Sequence, residues 1–118
     1  MTRRDLQRLD DILAAIDAIR SHVARGGLAD GLVFDAVRVR LIEIGEAVKS
    51  LDPQLVAGEP GIPWAEVAQM RDLLAHRYFD TSHAIVAATV DNDLPDLEAA
   101  VRRISEHLPT GDDSEDSR

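Results

Sequence analysis

Apolar residues recur along most of this chain at steps of three and four, the spacing of one face of an α-helix. From Thr2 to about Arg25 they are Leu6, Leu9, Ile12, Leu13, Ile16, Ile19 and Val23, and Gly26-Gly27 is placed to end that helix. A second helix is predicted from after Asp30 to about Leu51, where Val33, Val37, Leu41, Ile44, Val48 and Leu51 are spaced like a coiled-coil seam. Phe34, Val39 and Ile42 form another apolar set on a different side, so this helix is expected to bury more than one face, centrally or at a subunit interface. The stretch Asp52 to Pro63 holds three prolines and two glycines and reads as a loop. Pro63 then suits the first turn of a third helix, Trp64 to about Phe79. Asp80-Thr81-Ser82 offers caps for a fourth, from about His83 to Val90. Asp91 to Pro95 interrupts the pattern by a break or a kink, and Leu97, Val101, Ile104 and Leu108 carry a last helix. No segment alternates with period two for long enough to be a strand. The expected fold is all-α, an up-and-down bundle of four to five helices.

Length and composition narrow this picture. With 118 residues the chain suits one compact domain, residues 1–110, followed by a disordered acidic tail, 111–118. Aromatics are only 3% against 45% hydrophobic residues, so the core must be built from Leu, Ile, Val and Ala. The absence of cysteine excludes disulfides, thiolate metal sites and cysteine nucleophiles. The first residues open directly into a charged amphipathic segment, which argues for a cytoplasmic protein with no signal peptide and no membrane span. A net charge of −9 is the reverse of what a protein gripping long nucleic acid shows, and the tail accounts for only −3 of it. Any RNA site must therefore be a local basic pocket on an acidic body.

The third helix concentrates the unusual residue types. At about 100° per residue, Trp64, Val67, Met70, Leu74 and Tyr78 form one apolar stripe, and Arg71 falls inside it. A guanidinium there needs an acidic partner, a phosphate or an exit to water, since an unpaired buried one is very costly. On geometry alone, a structural ion pair with Glu43 or Glu46 on the neighbouring helix explains Arg71 better than catalysis does. His76 is offset from Arg71 by about 140° on an ideal helix, so joint action requires the long Arg to swing round, a distortion, or a second copy across a two-fold axis. Asp72 and His76, one turn apart, also fit an ordinary surface pair. Trp64 and Met70 are assigned to packing. His22, His83 and His107 are scattered without ligand spacing, so neither a metal site nor a cofactor is expected.

The run Arg71-Asp72-Leu73-Leu74-Ala75-His76-Arg77-Tyr78 resembles the R-x-x-x-x-H-x-Y signature of the HepT-like family within the HEPN superfamily. Ile44-Gly45-Glu46-Ala47 resembles that family's Gly-Glu element, Ile62-Pro63-Trp64 its lead-in to the signature helix, and Asp93-Leu94-Pro95 its late Leu-Pro break. The likeness spans roughly Asp5 to Leu108. It implies a HEPN-like homodimer, alone or in a higher assembly, whose signature helices face each other across a cleft, and metal-independent endoribonuclease activity with RNA as substrate. In that scheme the RNA 2′-hydroxyl attacks the adjacent phosphate, with His76 as general acid or base and Arg71 stabilising the developing charge. The resemblance further implies a toxin of a type VII-like toxin–antitoxin system. Its partner would be an MntA-type nucleotidyltransferase antitoxin that adds AMP to Tyr78, the chain's sole tyrosine. Glu46 is expected to orient Arg71. Asp72 is a departure, since the family commonly has Asn after the signature Arg, and a carboxylate there repels substrate unless Arg77 or protonated His76 offsets it. The competing reading is a non-catalytic HEPN-type dimeric binding module that partners a minimal nucleotidyltransferase.

Overall fold

The computed structural model describes residues 3–76 and 79–107, without the side chains of 76 and 79–82. Among them the regular elements are α1 (Arg3–Gly26), α2 (Gly31–Lys49), the single turn α3 (Pro53–Val56), α4 (Trp64–His76), α5 (Phe79–Ala88), a π-helical turn (Thr89–Asp93) and α6 (Leu94–Glu106). No strand occurs among the described residues, in keeping with the missing period-two alternation.

Local chemistry sets the boundaries. Gly27 ends α1 in the left-handed region at φ 71°, which costs a glycine nothing. Asp30 caps α2 by accepting from the backbone N–H of Leu32 at 2.9 Å. The proline-rich stretch read as loop contains α3, because Asp52 accepts from Gln54 N–H at 2.9 Å and Pro53 fills the first helical position. The fourth helix starts earlier than expected, at Phe79, so Asp80-Thr81-Ser82 lie in its first turn rather than before it. The interruption before Pro95 is a widened turn rather than a break. Proline has no N–H and its ring would meet the carbonyl four residues back, and here the Leu94 N–H reaches five residues back to Thr89 O. Arg77, Tyr78 and the acidic tail lie outside the described residues.

α2 is the centre of the bundle. It packs along α1 on one side and α4 on the other, α6 returns to α1, and α5 touches α2 and α4. Leu9, Ile12, Ile16 and Ile19 of α1, Val37, Leu41 and Ile44 of α2, Leu74, Val86 and Val101 are fully buried, an aliphatic core as the composition requires. The coiled-coil-like seam of α2 is buried throughout, Leu51 included. Its other apolar set divides. Phe34 is buried and stacks on His83 with ring centroids 5.3 Å apart, Ile42 is half-buried, and Val39 is 49% exposed. Two Arg–Glu forks close the bundle: Arg20 of α1 on Glu98 of α6 at 2.6 and 2.9 Å, and Arg103 of α6 on Glu59 of the loop before α4 at 2.8 to 3.1 Å.

Candidate functional site

A close approach between α2 and α4 is made possible by a missing side chain. A Cβ on Gly45 of α2 would stand 3.1 Å from both the backbone N of Arg71 and the carbonyl O of Val67, and 3.2 Å from the Arg71 Cβ. Only a glycine lets α4 lie this deep against α2. The next residue uses that proximity, for the Glu46 carboxylate ion-pairs with the Arg71 Nε. Asp72 accepts from Arg71 Nη1 at 3.0 Å. Gly45 and Glu46 thus act together, one admitting the helix and the other gripping its arginine.

The apolar stripe on α4 is real, but Arg71 lies at its margin. Met70 and Leu74 are buried and Trp64 and Val67 half-buried, whereas the Arg71 side chain is 41% exposed. Ion pairs this open contribute little stability individually, about 0–1 kcal/mol. Their effect is on direction: Glu46 occupies the Nε edge and Asp72 one Nη1 hydrogen. Of five guanidinium hydrogens, the Nη2 pair makes no hydrogen bond among the described residues. The other acid considered as a partner, Glu43, bonds Arg40 instead at 3.0 Å. Asp72 faces Arg71, its immediate neighbour, and its side chain is 65% exposed. The side chain of His76 and the whole of Arg77 and Tyr78 fall outside the described residues; the backbone of α4 carries His76 as its last residue.

A groove of about 620 Å³ runs between α1 and α2 with Glu46 on its wall, floored by Ala14, Ala15, Ala18 and Ala47. Its charges are already paired, Arg8 with Asp11 at 3.3 Å and Arg40 with Glu43 at 3.0 Å, so it offers no basic cradle for a phosphate chain. His83 is a structural residue. Its Nε2 carries the proton and donates to Leu28 O at 3.2 Å while the ring lies on Phe34. No group of three His, Asp or Glu able to hold a metal ion occurs among the described residues. No helix among them is long and apolar enough to cross a membrane. Sequence reasoning missed Arg38, whose Nη1 donates to the Leu74 carbonyl at 2.7 Å; its place on the same face of α2 as Gly45 and Glu46 is the signal that could have found it.

A family model described as Ribonuclease HepT-like matches residues 11–104. A protein of Thermococcus cleftensis named Probable ribonuclease HepT is 32% identical over 88% of this chain and 98% of its own length. A protein of Caldanaerobacter subterraneus subsp. tengcongensis whose name proposes RNase activity is 42% identical over 56% of this chain and 60% of its own. A Methanocaldococcus jannaschii protein named for gamma-glutamylcyclotransferase and proposed RNase activities is 38% identical over 90% of this chain, which spans only 50% of that relative. No solved structure matches the chain.

Proposed function

The chain belongs to the HepT-like ribonuclease family, and from that premise we propose that it is an endoribonuclease that cleaves RNA by 2′-hydroxyl attack with no resident metal. The observation that carries this reading is Arg71: half-exposed, aimed by Glu46 across the Gly45 contact, and five residues before His76 on the same helix. A guanidinium held by one edge keeps its other edge for a phosphate, and preorganised cationic donors stabilise the charge that builds on the phosphorane oxygens. His76 supplies general acid–base catalysis, for which an imidazole titrating near neutrality is suited. Leu32, at 82% exposure, and Val39, seven residues on along α2, leave apolar surface for a second copy. A homodimer formed there, acting in the cytoplasm, brings two such helices to one cleft.

Within this reading the protein is the toxin of a toxin–antitoxin pair, silenced when a cognate MntA-type nucleotidyltransferase adds AMP to Tyr78. The added phosphodiester carries negative charge and bulk into a site that must receive an anion. The test is incubation of the purified protein with defined RNAs, with and without EDTA, reading the product ends. Cyclic phosphate ends formed in chelator, and lost in His76→Ala, are the expected result; cleavage by His76→Ala at the parental rate overturns the scheme. Mass spectrometry of protein co-expressed with a neighbouring nucleotidyltransferase reads Tyr78, and an unmodified Tyr78 overturns the silencing mechanism.

One observation favours the alternative of a non-catalytic dimeric binding module. Arg71 is paired with both Glu46 and Asp72, so its charge is already offset before substrate arrives. A module of that kind binds the nucleotidyltransferase but neither cleaves RNA nor arrests cells, and expression of the parental and His76→Ala chains in cells separates the two.

A further inference from the structure

α2 grips α4 at a second point, closer to His76 than the Glu46–Arg71 pair. Arg38 reaches across from α2 and its Nη1 donates to the Leu74 carbonyl at 2.7 Å. Leu74 lies two residues before His76 on α4. A cationic donor on its carbonyl makes a charge-assisted bond. Arg38 is half-buried, and among the described residues it pairs with no carboxylate, so its hydrogen-bonding is directed at this backbone oxygen.

The placement is regular. Arg38, Ile42, Gly45 and Glu46 follow one another at helical steps on the face of α2 that meets α4. Gly45 and Glu46 set the Arg71 turn, and Arg38 sets the turn that follows, two residues before His76. The Leu74 side chain is fully buried, so core packing and the Arg38 bond hold the same residue from two sides.

We infer that Arg38 is a positioning residue for the His76 end of the site, acting through the Leu74 carbonyl to fix the α4 backbone two residues before His76. The inference rests on the ribonuclease reading for its kinetic consequence, but not for its structural one. A general acid or base must lie within hydrogen-bond reach of its proton, and displacing it by about 1 Å costs on the order of 100-fold in rate. An arginine that instead touched RNA would act on substrate binding and on salt dependence.

The full-length Arg38→Ala and Arg38→Lys proteins are compared with the parent well below their melting temperatures, by cleavage kinetics and by amide hydrogen exchange. Arg38→Ala is expected to lower kcat by about 10- to 100-fold with KM changed by less than about twofold. Arg38→Lys, which keeps a charged donor, is expected to recover most of the loss. Exchange in segment 75–80 is expected to quicken in Arg38→Ala while α1 stays protected, which separates a loosened helix end from global unfolding. An unchanged kcat overturns the inference, as does a loss confined to KM, which makes the guanidinium an RNA contact. If the parent itself does not cleave RNA, the failure belongs to the ribonuclease reading; the exchange comparison still decides, and unaltered exchange in 75–80 overturns the positioning role.

Discussion

Replacing Gly45 by Ala sets two opposed effects against each other, and their sum has a sign that the contact geometry fixes. In an open helical position the change stabilises, because Ala is preferred over Gly by about 0.8–1.0 kcal/mol. Here the new methyl would stand 3.1 Å from the Arg71 N and the Val67 O, and ordinary contact begins near 3.4 Å, so α4 must withdraw by about 0.3 Å. Both obstructing atoms are backbone, in a helix anchored by the buried Met70 and Leu74, so neither can rotate aside. Overpacking of this kind costs about 1–3 kcal/mol, which outweighs the helix preference and leaves a net loss of roughly 1 kcal/mol. For a domain of this size that lowers the melting temperature by about 4 °C. Withdrawal of α4 also shifts Arg71 relative to Glu46. If misplacement by about 1 Å costs about 100-fold, a shift of about 0.3 Å costs about fourfold in RNA cleavage. Gly31→Ala is the control, since a Cβ there meets nothing within 4 Å and the change should leave stability level or raised. Thermal denaturation by circular dichroism, with cleavage kinetics on the same preparations, measures both. A Gly45→Ala protein that melts higher than the parent and cleaves at the parental rate would refute the close-approach argument.

Glu46→Gln removes an exposed ion pair, so its melting temperature should move by no more than about 4 °C, corresponding to less than about 1 kcal/mol, while cleavage falls by about tenfold; equal activity would show that Arg71 needs no orienting partner. Asp72→Asn frees one guanidinium hydrogen and removes a negative charge beside the phosphate, so KM for RNA should fall severalfold in low salt, read from initial rates across substrate concentrations. Glu98, held by the Arg20 fork first and by Arg102 second, has its carboxyl pKa below the ordinary 4.5. A depressed folded-state value contributes stability that is present above the unfolded pKa and lost as pH falls through the folded one. Melting temperature should therefore drop on acidification below about pH 4.5, and Glu98→Gln should show a flatter acid limb, with an unchanged limb counting against the fork.

The helical bundle was legible because its information is periodic. The apolar faces of α1 and α2 are defined by seven and six residues that, apart from the half-buried Leu6, lie in the core or against it, and the caps at Asp30 and Gly27 are single residues with one structural use. Boundaries were less legible where a residue type has two uses. Asp80-Thr81-Ser82 can stand before a helix or inside its first turn, and periodicity does not distinguish the two. Asp52-Pro53 is a cap and a first helical position as readily as a loop. At the site, sequence narrowed the partners of Arg71 to Glu43 and Glu46, and three-dimensional packing chose Glu46 because Gly45 sets the register of α4 on α2. Arg38 shares a face of α2 with Gly45 and Glu46, which marks it as a neighbour of α4, but nothing in an arginine names a backbone carbonyl as its acceptor.

An acidic chain that acts on RNA is a contradiction only if affinity must come from many phosphates. Counterion release favours a polyelectrolyte grip, with log K falling by about 0.7 for each single-strand phosphate neutralised. Beside the site the described residues offer no such grip, since the groove next to Glu46 has its arginines tied to Asp11 and Glu43. What the site itself leaves partly open among them is the outer edge of Arg71. A site built this way engages one scissile phosphate and little of its flanks, which fits a nuclease selective for a particular exposed linkage rather than one that tracks along a strand. Were AMP added to Tyr78 as proposed above, the same arithmetic would set its effect. Where a single guanidinium supplies most of the attraction, a single added negative charge removes most of it.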